Sequence, residues 1–227
     1  MIQVIGHRGI AGLEPENTLR SFRRAVELGV DYVECDVRLT SDRHLVLMHD
    51  ETMDRTTNGN GRVAEMSFEA IRRLDAGHGE RVPTLDELLE LLRGRCKAHV
   101  ELKGEGTEEP ALRIVEARGM LGDVALTCFD TARLRALRAL SGEVAIEHIF
   151  GDPPPDAIER ALSVLAQRIS AHHKHATADF VNAAHKAGLQ VVAWPPDTVP
   201  EMQAMLDLGV DLLCTNRPDI LLHHLGR

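Results

Sequence analysis

Nowhere in the 227 residues does an apolar run approach the ~18 residues that a bilayer-spanning helix needs. The opening Met1-Ile2-Gln3-Val4-Ile5-Gly6 is too short before His7 to read as a secretory leader, so the expected location is the cytoplasm. An excess of positive charge is also missing. The net charge of -9 argues against nucleic acid and anionic membrane surfaces as partners, leaving small molecules. Aromatic residues are only 3% of the chain, so no stacking platform for bases or sugars is expected, and the single tryptophan, Trp194, stands out. Cys35, Cys96, Cys128 and Cys214 are scattered without Cys-x-x-Cys spacing. They read as reduced, mostly buried thiols and not as a zinc site or a disulfide framework.

What is present begins with a 44% apolar content, enough to bury one large core. A short apolar strand over residues 2–5 ends in Gly6-His7-Arg8-Gly9. Glu16-Asn17-Thr18 then suits a helix N-cap, Leu19, Phe22, Ala25 and Val26 recur at helical spacing, and Gly29 stops the helix. A second strand over 30–37 leads through a polar turn to a return arm over 45–49. With Asp42-Arg43 as a two-residue hairpin turn, Val37 pairs with Met48, Leu39 with Val46 and Asp36 with His49. Glu34, Asp36 and His49 then share one face, which is either a solvated hairpin surface or the wall of a site. Residues at about 51–83 turn polar and glycine-rich and read as an insertion, with Ser67 capping a short helix. Thr84-Leu85-Asp86-Glu87 has the form of a capping box.

From there strands near 98–103, 124–129, 144–149, 168–171, 190–194 and 211–215 alternate with helices of about ten residues. Strands separated by such helices pair in parallel. Eight strand–helix units in a chain of this length predict a single (β/α)8 TIM barrel domain over 1–227, with a β-hairpin and a small insertion after the second strand.

Chemistry in such a barrel sits where strands end. The residues expected there are His7-Arg8, Glu34-x-Asp36, Glu101-x-Lys103, Cys128-Phe129, His172-His173, Trp194 and Thr215-Asn216. Glu34, Asp36 and Glu101 crowded at one mouth would repel one another unless a cation neutralised them. Oxygen-only ligation selects a hard divalent ion, Mg²⁺ or Ca²⁺, with Mn²⁺ tolerable. Arg8 and Lys103 supply fixed positive charge suited to a phosphate, and His7 and His49 can trade protons near neutral pH. Singly, each has an ordinary explanation: Glu101 with Lys103 a strand-end ion pair, Arg8 a tie on the first loop. Together they describe phosphodiester cleavage.

Gly6-His7-Arg8-Gly9, Pro15-Glu16-Asn17-Thr18, Glu34-Cys35-Asp36-Val37, Leu47-Met48-His49-Asp50, Glu101-Leu102-Lys103 and Thr215-Asn216-Arg217-Pro218-Asp219 run in order along essentially the whole chain. In them the sequence resembles the glycerophosphodiester phosphodiesterases, within the wider group of phosphatidylinositol-phospholipase-C-like barrels. The resemblance implies Glu34, Asp36 and Glu101 as metal ligands, and His7 and His49 as the acid/base pair without saying which is which. It implies Arg8 and Lys103 as phosphate-holding residues, Asn17 as a loop-ordering asparagine, and Phe129 and Trp194 as an apolar wall beside glycerol. The implied reaction releases sn-glycerol 3-phosphate and an alcohol from deacylated phospholipid, with water or a neighbouring hydroxyl as nucleophile.

Three positions depart from the family pattern. Pro195-Pro196-Asp197 stands where Thr-Val-Asn is usual, Cys128 where Ser is usual, and Asn216 where Asp is usual after Thr. These put substrate preference in doubt. His172-His173-Lys174-His175 adds cationic side chains at a strand end, where His172 or Lys174 either touches a phosphate or head group or belongs to a solvated loop. Two other readings stand beside the leading one. A lysophospholipase D-type hydrolase would need an apolar entrance, against which the acidic charge speaks. A non-catalytic binder of phosphorylated ligands fits poorly with a full set of catalytic residue types.

Overall fold

The computed structural model describes residues 2–227; Met1 lies outside them. Among the described residues eight parallel strands close into a barrel, as the alternation predicts. They are β1 (Gln3–Gly6), β2 (Tyr32–Leu39), β4 (Lys97–Leu102), β5 (Val124–Cys128), β6 (Ala145–Phe150), β7 (Arg168–His172), β8 (Gln190–Trp194) and β9 (Leu212–Thr215). β1 pairs with both β2 and β9, which removes both edges of the sheet. The remaining strand, β3 (Leu45–Leu47), lies antiparallel on the far end of β2.

The helices follow their local signals. α1 (Leu19–Leu28) starts at Thr18, whose hydroxyl accepts from the Ser21 amide, and ends at Gly29, whose φ of 85° only glycine adopts freely. Phe22 and Ala25 are its buried face. The capping box at Thr84 and Glu87 opens α3 (Leu85–Leu92), and a second, at Thr198 and Glu201, opens α8 (Val199–Leu208). Outward-facing strand residues such as Val33, Cys35, Val100 and Leu126 pack against these helices and form the main core.

The hairpin differs from its expected register by one residue. Val37 pairs with Leu47, Arg38 with Val46 and Leu39 with Leu45. The cause is Arg43, which sits in the left-handed region at φ 67° and adds a third residue to the turn. The Arg43 amide donates to the Thr40 carbonyl and the Thr40 amide to that of His44. A one-residue slip exchanges the faces of a strand. Met48, not His49, therefore stands opposite Asp36, its amide donating to the Asp36 carbonyl at 3.0 Å. Val46 and Met48 turn instead into a small core of their own with Met53, Val63, Ile71, Ala76 and Val82 of the insertion. His49 reaches the barrel mouth only after β3 has ended, with its carbonyl held by the Arg38 guanidinium at 3.0 and 2.8 Å.

Inside the barrel, register and geometry stack the side chains in layers of four drawn from alternate strands. At constant height each step to the next strand advances one residue past the register partner. The rule closes on itself through Ile5, His99, Glu147 and Val192. Above that layer lie Glu34, Thr127, Ser170 and Cys214, then His7, Glu101, Ile149 and Trp194. At the rim are Asp36, Phe129, His172 and Asn216.

Candidate active site

The site is built from the C-terminal ends of the strands. A Cβ on Gly6 would stand 2.1 Å from the Gly9 carbonyl oxygen, and one on Gly9 would stand 2.7 Å from the Ser21 backbone, so both glycines allow the loop to lie flat on α1. Between them the Arg8 amide donates to Glu34 Oε2 at 2.9 Å. Its guanidinium lies 3.3 Å from Asp36 Oδ2 and 2.9 Å from Glu16. Asn17, itself at φ 56°, donates from Nδ2 to Asp36 Oδ2 at 2.9 Å. One oxygen of Asp36 is thus doubly held. The other, Oδ1, is buried and finds no hydrogen bond among the described residues, with Lys103 Nζ 3.9 Å away.

Glu34, Asp36 and Glu101 each offer a carboxylate oxygen, all within 4.8 Å of one another. Burial and the charge of Asp36 push the Glu34 carboxyl well above its usual range and Glu101 up to about 7. Burial also pushes on Asp36, but Arg8 and Lys103 outweigh it and hold that carboxyl below the usual range. Crowded acids with one orphaned, inward oxygen are the donor set of a hard divalent cation. His7, Glu34 and Cys214 also converge, but burial raises the Cys214 thiol far above the range in which it ionises, so the oxygen set fits better.

Two imidazoles face these acids. His7 Nδ1 is 2.7 Å from Asn216 Oδ1. Asn216 Nδ2 donates to Asp197 Oδ2 at 2.7 Å, which fixes the amide and leaves its oxygen toward His7. His7 Nδ1 must therefore carry the proton, and Nε2, 3.8 Å from Glu34, is left unprotonated. Burial and the neighbouring Arg8 lower the His7 pKa to about 4. His49 Nδ1 is 2.7 Å from the Asp50 carboxylate, which Arg55 grips in turn. Burial lowers the His49 pKa, while Asp36 and Asp50 oppose that shift.

Phe129 and Trp194 meet edge to face across the mouth at 5.9 Å, and Lys103 Nζ, 3.0 Å from Glu101, lies 5.8 Å from the centre of the Phe129 ring. Eight of the nine residues singled out by sequence line one cavity of about 220 Å³: His7, Arg8, Glu34, His49, Glu101, Lys103, Phe129 and Trp194. Asp36 lies just behind it, 1% exposed. His172 packs on Trp194 with ring centres 5.2 Å apart, and the His173 amide donates to the Trp194 carbonyl. That segment braces the indole; Lys174 does not line the cavity. A wider cleft of about 720 Å³ opens alongside, between Arg62-Val63-Ala64 of the insertion and Gly104-Glu105, sharing Glu101, Lys103 and Phe129.

Sequence reasoning missed the groups behind the histidines. Asp50 and Asn216 lay inside recognised motifs. The departures at Asp197 and Asn216 prove to share one contact, the Asn216 backbone amide and Nδ2 both donating to the Asp197 carboxylate. Two departures that could share a contact were the signal available.

Residues 7–220 match the model of the Glycerophosphoryl diester phosphodiesterase family. A protein of Caldanaerobacter subterraneus subsp. tengcongensis named glycerophosphodiester phosphodiesterase is 34% identical, over 97% of this chain and 96% of its own. The crystal structure of a glycerophosphodiester phosphodiesterase from Agrobacterium tumefaciens superposes with a TM-score of 0.85 at 31% identity, covering 96% of this chain and 98% of that one. A phosphodiesterase from Oleispira antarctica, solved with the product sn-glycerol-3-phosphate, superposes with a TM-score of 0.93 at 28% identity, over 99% of this chain and 97% of that one.

Proposed function

The chain belongs to the glycerophosphoryl diester phosphodiesterase family, and from that premise we propose that it hydrolyses deacylated phospholipids such as glycerophosphocholine or glycerophosphoethanolamine to sn-glycerol 3-phosphate and an alcohol, using a divalent cation. The observation that carries this reading is the convergence of three carboxylates, two fixed cations and two imidazoles on one cavity at the C-terminal face of the barrel. Glu34, Asp36 and Glu101 would hold the cation, Mg²⁺ or Ca²⁺ with Mn²⁺ tolerable. Bound there, it would polarise a phosphoryl oxygen and offset the developing negative charge.

The protein's own groups do the rest. Arg8, immobilised by Glu16 and Asp36, and Lys103 hold the phosphate, so no side-chain ordering is left to be done at the moment of reaction. His7, with its proton fixed on Nδ1, takes a proton at Nε2 from the attacking oxygen. His49, whose imidazolium Asp50 stabilises, gives one to the departing alcohol. Phe129 and Trp194 flank the glycerol carbons. The wide cleft beside Lys103, open to solvent, suits the alcohol that leaves.

The barrel is read as one domain over 1–227, with residues 51–83 elaborating its rim. The four free, buried cysteines fit a reducing, cytoplasmic setting, and among the described residues no helix is long and apolar enough to cross a membrane. A coupled glycerol-3-phosphate assay on glycerophosphocholine tests the reading. Product should appear, vanish with EDTA and return with Mg²⁺ or Ca²⁺. Activity indifferent to EDTA would overturn the metal assignment, and no product under any metal would overturn the function.

A further inference from the structure

Below the carboxylates the barrel is not filled. The 220 Å³ cavity continues past the layer of Glu34, Thr127, Ser170 and Cys214 to a floor of Ile5, His99, Glu147 and Val192. From Glu101 to His99 is two residues of β4. At ~3.3 Å per residue and a tilt of ~36°, that is about 5 Å along the axis, the scale of a three-carbon chain. At ~30 Å³ per water the cavity holds about seven waters. Its depth is closed: His99, Thr127, Glu147 and Ser170 are 2, 1, 4 and 1% exposed.

One side of this shaft is polar, from β4 through β7, and the other is apolar, from β8 through β1. His99 Nδ1 lies 2.8 Å from Glu147 Oε2, while His99 Nε2 and Ser170 Oγ complete no hydrogen bond among the described residues. Burial pushes the Glu147 carboxyl up, but His99 and Arg168 outweigh it and hold the group below its usual range, so it stays an acceptor. Buried polar atoms without partners are rare in native proteins and call for a water or a ligand. Here they line the same cavity as the reacting groups.

Resting on the phosphodiesterase reading above, we infer that this shaft is a hydroxyl-reading subsite that admits only a glycerol whose terminal hydroxyl is free. The phosphate stays at the rim between Arg8 and Lys103, and the glycerol descends. Its carbons run from the Phe129 and Trp194 wall down along Cys214 toward Ile5 and Val192, and its terminal hydroxyl meets Ser170, Glu147 and His99. An acyl chain esterified to that oxygen has no exit through walls this closed. The lysophospholipid alternative is thereby excluded by the floor of the barrel and not by its entrance.

The test compares kcat/KM for glycerophosphocholine, its analogue made from propane-1,2-diol, which lacks the terminal hydroxyl, and 1-acyl-lysophosphatidylcholine, in the wild type and in Ser170→Ala. That variant removes an unpartnered hydroxyl and keeps the fold. The wild type should favour the glycerol substrate over the analogue by about tenfold or more and leave the lysophospholipid untouched. Ser170→Ala should bring the ratio most of the way to one. Calorimetric affinities for sn-glycerol 3-phosphate and 2-hydroxypropyl phosphate should show the same preference. Equal turnover of analogue and parent, comparable turnover of the lysophospholipid, or a ratio unmoved by Ser170→Ala would overturn this inference while leaving the phosphodiesterase reading intact. Failure to cleave any of the diesters would overturn both.

Discussion

His7 and His49 face the same three carboxylates from opposite supports. His7 is set just past the end of β1, deep in the site, and is backed by a neutral amide that Asp197 locks in place. His49 sits on a loop that has already left β3, about a third exposed, and is backed by a carboxylate. Arg55 holds that carboxylate and also grips Glu16, which in turn holds Arg8. Identical side chains therefore arrive with different proton affinities relative to their surroundings. Burial and Arg8 keep His7 neutral with Nε2 free to accept, while at His49 Asp36 and Asp50 oppose the lowering that burial imposes and stabilise an imidazolium when it forms.

The largest effect expected from breaking this comparison is on turnover. His7→Ala and His49→Ala should each lower kcat/KM by about 10²–10⁴ without shifting the thermal midpoint, since neither side chain belongs to a packed core. Wild-type rates from either variant would remove its assigned role.

Next comes the backing itself. Asn216→Asp alone sets two carboxylates 2.7 Å apart against Asp197 and should destabilise the protein by about 1–3 kcal/mol. Adding Asp197→Asn restores the hydrogen bond with its polarity reversed and should recover the thermal midpoint. His7 would then face a carboxylate, which raises its pKa by roughly 1–2 units. Because His7 works unprotonated, the acid limb of the pH–rate profile should move up in pH by that amount. An unmoved limb would mean that His7 does not accept the proton.

A smaller effect separates the histidines from the acids between them. Protons on Glu101, with its pKa near 7, and on Glu34 compete with a cation. Affinity for Mg²⁺ or Ca²⁺, measured by calorimetry, should fall about tenfold between pH 8 and pH 6, with proton release on binding at pH 6. Affinity independent of pH would argue that the cation binds elsewhere. Smallest of all, Arg55→Ala loosens an exposed brace and should lower kcat only about two- to fivefold, leaving KM unchanged.

Much of this was legible in the sequence. Helix caps at Thr18, Thr84 and Ser67 and the alternation after residue 97 mark the barrel, because those signals are local. The strand-end acids, cations and histidines are legible because a barrel gathers strand ends by construction. The hairpin register was not, since Arg43 carries no glycine or asparagine to announce its left-handed backbone. Nor were the partners of the histidines wholly legible: Asp197 and Asn216 lie 19 residues apart and meet only when β8 and β9 are laid side by side. The polar shaft is hidden for the same reason. His99, Glu147 and Ser170 each look like a stray polar residue in a buried strand until the layers are stacked.

The division of labour between the histidines is tested most directly by changing the leaving group. A glycerophosphodiester of p-nitrophenol releases an anion that needs no proton, so only the acid becomes dispensable. His49→Ala should recover most of the wild-type rate on that ester while His7→Ala stays inactive. Recovery by His7→Ala, or by neither variant, would contradict the assignment.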